Sequence, residues 1–153
     1  MIREIKVITL RDVEERYDPM DHPEKLVAFW KKEVMRSEWY DCEKEQLVVL
    51  SLDSKLKVKT FNLVSIGLNN QTLVHAREVY RPAILSAAAH IVIMHNHPSG
   101  DPAPSADDVR VSREMMRAGE VLGIPCLDSL VVGIASERSP TGFASLKQAG
   151  LLI

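Results

Sequence analysis

Residues 95–108 read HNHPSGDPAPSADD and directly follow the short apolar run IVIM. That run is rich in β-branched residues, which predicts a short buried strand. Side chains alternate along a strand, so His95 and His97 project together while Asn96 points away. The Pro/Gly/Ser-rich loop that follows leads into a helix carrying Asp108. A strand, a loop and a helix therefore bring two imidazoles and one carboxylate to one place.

Two imidazoles and one carboxylate form the three-ligand set of a catalytic zinc site, which keeps a fourth position open for water. The sequence thus offers His95, His97 and Asp108 as candidate metal ligands. The alternative is a surface loop that holds two histidines by coincidence. The regular order of strand, loop and helix favours the metal site.

The helix predicted over residues 105–122 has clear start signals of its own. Ser105 is a good N-cap residue, and Asp107 and Asp108 fall in the first turn, where the helix dipole favours negative charge. Capping and dipole compensation need no metal, so Asp107 is predicted to serve the helix only. Asp108 differs because two histidines precede it.

The composition is that of one soluble globular domain. The chain has 153 residues, of which 26% are charged and 46% hydrophobic. A net charge of −2 argues against a strongly cationic nucleic-acid surface. Cys42 and Cys126 show no metal-type spacing, which predicts a reducing, cytoplasmic location without disulfides. No apolar stretch is long enough to predict a signal peptide or a membrane span.

Hydrophobic periodicity and turn residues predict alternating strands and helices, which is typical of an α/β fold or an α+β sandwich. The stretches 46–52 and 56–64 form a predicted hairpin, and Gly67 with Asn69-Asn70 marks a loop. The tail at 143–153 is expected to be a short strand or helix. The other predicted strands are 5–10, 91–94 and 127–133, and the predicted helices are 23–37, 76–89 and 105–122.

A zinc site of this kind also needs a general base that takes a proton from water and returns it to the leaving group. The candidates are Glu45, which stands before a predicted strand, Glu43 and Glu78. Glu45 has the advantage of a rigid strand directly behind it. For each of the three, the alternative interpretation is a solvated surface charge.

The motif resembles known families. A His-x-His pair, seven residues, a serine, two residues and an aspartate match the JAMM motif of the JAB/MPN+ metalloproteases. The fuller string HNHPSGDP with PSADD is more similar to the RadC family. Shorter strings shared with that family are LSLD at 50–53, Gly67, REV at 77–79 and LD at 127–128. The resemblance covers roughly residues 40–153.

The resemblance implies a JAB/MPN-like, cytidine-deaminase-like mixed β-sheet flanked by helices. It places that domain at 41–153, after an N-terminal extension at 1–40 with one amphipathic helix. It implies a JAMM-type peptidase or isopeptidase that uses zinc-activated water. Carried over to this chain, His95, His97 and Asp108 match the Zn²⁺ ligands, Ser105 the serine that stabilises the oxyanion, and Glu45 the catalytic glutamate.

Some positions depart from the RadC pattern. Ser129 stands where RadC-like chains usually have a histidine after Leu-Asp, and Ala76 replaces the proline of a His-Pro-Arg-Glu string. The helix-hairpin-helix module that often precedes the domain has no counterpart in the first forty residues. His75 and His90 are predicted to be structural, since His95, His97 and Asp108 already supply three protein ligands.

The expected partner is a protein or peptide substrate, with no membrane. A DNA-repair-associated module or a DNA-acting hydrolase is the alternative function, because RadC-like proteins carry that older label. The slightly acidic chain and its 5% aromatic content give it little support. Lys55, Lys57 and Lys59 alternate on one strand face, which suits phosphate contact or a protected edge strand equally. A metal-binding domain without activity is the third candidate. The sequence predicts no oligomeric state.

Overall fold

A five-stranded mixed sheet forms the centre of the protein in the computed structural model, which describes residues 1–4, 9–67 and 74–153. The strand order is β2-β1-β3-β4-β5, with β3 and β4 parallel and the other neighbours antiparallel. This confirms the expected mixed sheet flanked by helices. The strands are β1 (Glu45–Leu52), β2 (Val58–Gly67), β3 (His90–Asn96), β4 (Cys126–Val132) and β5 (Phe143–Ser145).

Among the described residues, three α-helices flank the sheet: α1 (Pro23–Lys32), α2 (Ala76–Leu85) and α3 (Ala106–Leu122). Helix α1 begins with proline in its first turn and ends with two lysines, which suit the two ends of the helix dipole. A short 3₁₀ helix, Val34–Arg36, follows it. Helix α3 ends at Gly123, whose left-handed φ of 69° is the usual glycine stop signal.

The two faces of the sheet bury different side chains because residues alternate along each strand. On one face, Leu50 and Met94 pack with Phe29 and Trp30 of α1. On the other face, Val49 and neighbouring residues pack with α2 and α3. All eight residues of β1 are buried, as expected for a central strand covered on both sides.

The elements differ from the sequence predictions mainly at their ends. The helix predicted over 76–89 stops at Leu85, because Ala87 takes a left-handed φ of 50° and the Ala88 N–H bonds back to the Ala83 carbonyl. The helix predicted over 23–37 gives way to the 3₁₀ turn after Lys32. The hairpin and the capped start of α3 are confirmed.

Two expectations fall wholly or partly outside the described residues. The first is the strand predicted at 5–10, of which residues 5–8 are not described, and the second is the Asn69-Asn70 loop. Gly67, predicted to mark the same loop, is the last residue of β2. The proposed domain division at residue 40 stays a prediction, although α1 shares its hydrophobic cluster with the sheet. Within the described ranges, no helix is both long and apolar enough to cross a membrane.

Candidate metal centre

The end of β3 places the two histidine rings side by side. His95 pairs with Leu47 of β1, and the His97 N–H bonds to the Val132 carbonyl at the end of β4. The two Nε2 atoms lie 3.2 Å apart. His97 Nδ1 lies 2.8 Å from the Asp101 carbonyl oxygen, which can only accept, so Nδ1 carries the hydrogen. That bond leaves His97 Nε2 as the ring atom suited to a metal.

The first turn of α3 supplies the carboxylate through a capping box. Ser105 Oγ accepts from the Asp108 N–H at 3.1 Å, and the Ser105 N–H donates to Asp108 Oδ2 at 2.7 Å. The predicted N-cap role of Ser105 is therefore confirmed. Asp108 Oδ1 lies 3.2 Å from His95 Nε2, and Oδ2 lies 3.3 Å from His97 Nε2. One carboxylate thus contacts both imidazoles while the helix start holds it in place.

Glu45 reaches the same place from the beginning of β1. Its Oε1 lies 3.6 Å from His95 Nε2 and 4.0 Å from His97 Nε2, and the residue is buried. The other candidate bases lie elsewhere. Glu78 is in contact with Arg77 and Arg81 at the surface, and Glu43 is exposed. The structure therefore brings one of the three candidate glutamates to the histidines.

A divalent cation fits this group of side chains. One ligand atom from each of Glu45, His95, His97 and Asp108 falls within 4.8 Å of every other. Two buried carboxylates are costly without a compensating positive charge, which a metal ion or protonated imidazoles would supply. Nitrogen and oxygen donors in this ratio are those of a catalytic zinc site. His95, His97 and Asp108 would hold the ion, and Glu45 would lie beside it.

The surrounding side chains keep the Asp108 carboxylate ionised. Burial acts to raise the pKa of Asp108, but the hydrogen bonds from His95 and His97 outweigh it and hold the pKa well below its usual range. The same hydrogen bond with Asp108 raises the pKa of His97 above its ordinary value, because it favours a proton on Nε2, which a bound metal would replace. The carboxylate is thus in the form that binds a metal.

Two buried serines, Ser112 and Ser129, connect helix α3 to strand β4. Ser112 Oγ donates to the Asp108 carbonyl at 2.6 Å and lies 2.8 Å from Ser129 Oγ. Because Ser112 has one hydroxyl hydrogen, Ser129 must donate the second bond. The Asp128 carboxylate in turn accepts from the Ser129 N–H and from Ser145 Oγ. The pair ties the first turn of α3 to β4.

Gly133 supports the histidine loop, and the sequence analysis did not single it out. A Cβ at Gly133 would lie 2.3 Å from the Gly100 carbonyl oxygen and 2.9 Å from the Pro102 nitrogen. The Ile134 N–H also bonds to that Gly100 carbonyl. The chain after β4 therefore lies directly against the loop that carries Asp101, the hydrogen-bond partner of His97. A glycine just past the end of a strand was the available signal.

Gly133→Ala is expected to displace this loop and weaken metal binding by roughly 10–100-fold, the usual cost of disturbing groups that orient a ligand. Zinc titration of the purified variant measures the effect. Gly67→Ala is the control, because a Cβ there meets no described atom within 4 Å. Equal zinc affinity in both variants would show that the loop does not orient His97.

Comparison with known proteins identifies the family. The family model described as RadC-like JAB domain matches residues 20–151. The chain belongs to the RadC-like JAB domain family. The metal-type cluster of this RadC-like JAB domain is formed by Glu45, His95, His97 and Asp108.

The RadC-like JAB domain is also similar to curated proteins named UPF0758. It is 41% identical over 112 residues to one from Geobacter sulfurreducens, covering 73% of this chain and 46% of that protein. It is 42% identical over 112 residues to one from Trichlorobacter lovleyi, with the same coverage of 73% and 46%. It is 38% identical over 110 residues to one from Methanosarcina barkeri, covering 72% and 45%. The chain spans a little under half the length of these relatives.

Proposed function

We propose that this RadC-like JAB domain is a zinc-dependent hydrolase of the JAMM type. The JAB superfamily includes metallohydrolases. The observation that carries the proposal is the convergence of Glu45, His95, His97 and Asp108 within 4.8 Å at the end of the sheet. A surface loop with incidental histidines would not place two buried carboxylates against both rings.

The proposal gives each side chain a role. His95, His97 and Asp108 hold the ion. Zinc, when bound, acidifies a water ligand and polarises a substrate carbonyl. Glu45 accepts the proton at Oε1 and returns it to the leaving amine. Ser105 Oγ accepts from the Asp108 N–H, so its own hydroxyl hydrogen remains for the oxygen on which negative charge develops.

A peptide or isopeptide is the proposed substrate class. An amide bond suits the roles proposed for zinc, Ser105 and Glu45. Zinc can polarise its carbonyl, Ser105 can stabilise the negative charge on its oxygen, and Glu45 can protonate its leaving amine. The proposal concerns this domain alone, since the matched region covers a little under half of each relative.

The direct test is hydrolysis of a panel of fluorogenic peptides and isopeptide-linked conjugates by the zinc-loaded protein. We expect cleavage of at least one class, its loss on treatment with a chelator, and its return when zinc alone is added back. The matched control is the same preparation carrying His95→Ala. Cleavage that survives chelation, or that is equal in the control, would show that the activity does not come from this site.

A further inference from the structure

Asn96 lies between the two histidines in sequence and bonds to both backbone neighbours of Glu45. Its Oδ1 accepts from the Gln46 N–H at 2.9 Å, and its Nδ2 donates to the Lys44 carbonyl at 2.9 Å. These two groups belong to the peptide units on either side of the Glu45 Cα. One side-chain amide therefore holds the backbone of Glu45 from both sides.

The side-chain amide of Asn96 continues the hydrogen bonding between β1 and β3 where their backbone pairing stops. The β1–β3 pairing ends at Leu47 opposite His95, so the next residues toward Glu45 have no β3 backbone partner in that ladder. Asn96 supplies a donor and an acceptor in its place. Both Asn96 and Gln46 are almost fully buried, where an unmade hydrogen bond would be costly.

The alternation of β3 explains why this can happen without disturbing the metal ligands. His95 and His97 project from one face, and Asn96 projects from the other. The same three residues thus direct two rings to the cluster and one amide to the backbone of β1. The end of β3 therefore fixes both the two histidines and, through Asn96, the backbone of Glu45.

The segment before Glu45, residues 39–44, is held by the side chain of Gln46. Gln46 Nε2 donates to the Trp39 carbonyl at 2.9 Å, and Gln46 Oε1 accepts from the Asp41 N–H at 3.4 Å. The chain entering β1 is therefore anchored to a residue whose own N–H is held by Asn96. The Lys44 carbonyl that accepts from Asn96 therefore belongs to a segment, residues 39–46, that further hydrogen bonds hold in place.

We propose that Asn96 is a positioning residue, which clamps the Lys44–Gln46 backbone and so fixes Glu45 against the two histidines. The proposal rests on the proposed function, in which Glu45 moves the proton. Asparagine suits this role because it offers both an acceptor and a donor. Aspartate at this position would keep only the acceptor, and alanine would keep neither.

Amide hydrogen exchange tests the clamp without any substrate. In Asn96→Ala the Gln46 N–H loses its acceptor, and its exchange is expected to quicken roughly five- to tenfold, the effect of one lost hydrogen bond on local opening. Asn96→Asp should restore protection of that amide, since its carboxylate can still accept. Zinc bound per chain should stay unchanged in both variants, because the ligands remain.

The matched control for a buried polar change in β1 is Ser51→Ala. Ser51 is fully buried near the other end of the strand, and its hydroxyl has no hydrogen-bond partner among the described residues. This variant should leave exchange at Gln46 as in the wild type. Unchanged protection of Gln46 in Asn96→Ala, or loss of zinc from both Asn96 variants, would overturn the clamp.

Activity links the clamp to Glu45. Asn96→Ala should lower kcat on the best fluorogenic substrate of the panel by up to roughly 10²-fold, the cost of an ångström-scale misplacement. In a Glu45→Gln background the same change should have almost no further effect. An equal loss in both backgrounds would reject positioning through Glu45. If the wild type cleaves nothing in the panel, the proposed function fails while the exchange experiment still decides the clamp.

Discussion

His95→Ala and His97→Ala should each abolish stoichiometric zinc binding. Each change removes an imidazole whose Nε2 lies next to both Asp108 and the other ring. Two remaining ligands are fewer than the three protein ligands that a catalytic zinc site uses. We expect about one zinc per chain in the wild type and almost none in either variant, measured by metal analysis after gel filtration.

Thermal unfolding gives a second readout of the same prediction. Zinc at 100 times its dissociation constant should stabilise the wild type by about 2.7 kcal/mol. For a chain of this size, that raises Tm by roughly 5–10 °C. His90→Ala is the matched control, because His90 begins the same strand and lies outside the cluster. Full zinc content in His95→Ala, or its loss in His90→Ala, would contradict the assigned ligands.

Glu45→Gln should retain zinc and the fold but lose hydrolysis. The amide has the size of the carboxylate and cannot take the proton, so kcat should fall by roughly 10²–10⁴-fold. The measurement is steady-state kinetics on the cleaved panel substrate, with zinc content determined on the same samples. Loss of zinc together with activity would make Glu45 a metal ligand rather than a base.

Glu78→Gln is the matched control for this prediction. Its carboxylate is at the surface with Arg77 and Arg81, so neutralising it should leave kcat unchanged. Normal activity in Glu45→Gln combined with loss in Glu78→Gln would transfer the role of base to Glu78.

Much of the arrangement around β3 could be predicted because its signals are local. The alternation of His95 and His97, the cap at Ser105 and the place of Asp108 in the first turn all follow from the geometry of one strand and one helix start. The order of these signals in fourteen consecutive residues made the site recognisable.

Local patterns favoured Glu45 but could not decide among the three glutamates, because the choice depends on pairing between distant strands. Glu45 meets the histidines only because β1 lies beside β3, and nothing local to Glu43, Glu45 or Glu78 specifies that neighbour. The same reason hides the role of Asn96. Its direction away from the histidines was predictable, but its partners lie about 50 residues earlier in the chain.

Helix ends and close approaches were the other features that local patterns missed. Ala87 is an uncommon residue for a left-handed helix stop, so nothing in the sequence signals the end of α2. Gly133 is recognisable as special only when the Gly100 carbonyl is seen against it.

The strand order also determines when the site exists during folding. β1 and β2 are consecutive strands that form a local hairpin, while the other edge of β1 pairs with β3, which lies much farther along the chain. Pairings of large sequence separation carry a loop-closure cost and slow the formation of a fold. The three proposed ligands lie on β3 and in the first turn of α3, which one loop joins, whereas Glu45 reaches them only through the β1–β3 pairing. Zinc would therefore be held by a local part of the chain, and the base would join it only once the central β1–β3 pairing has formed.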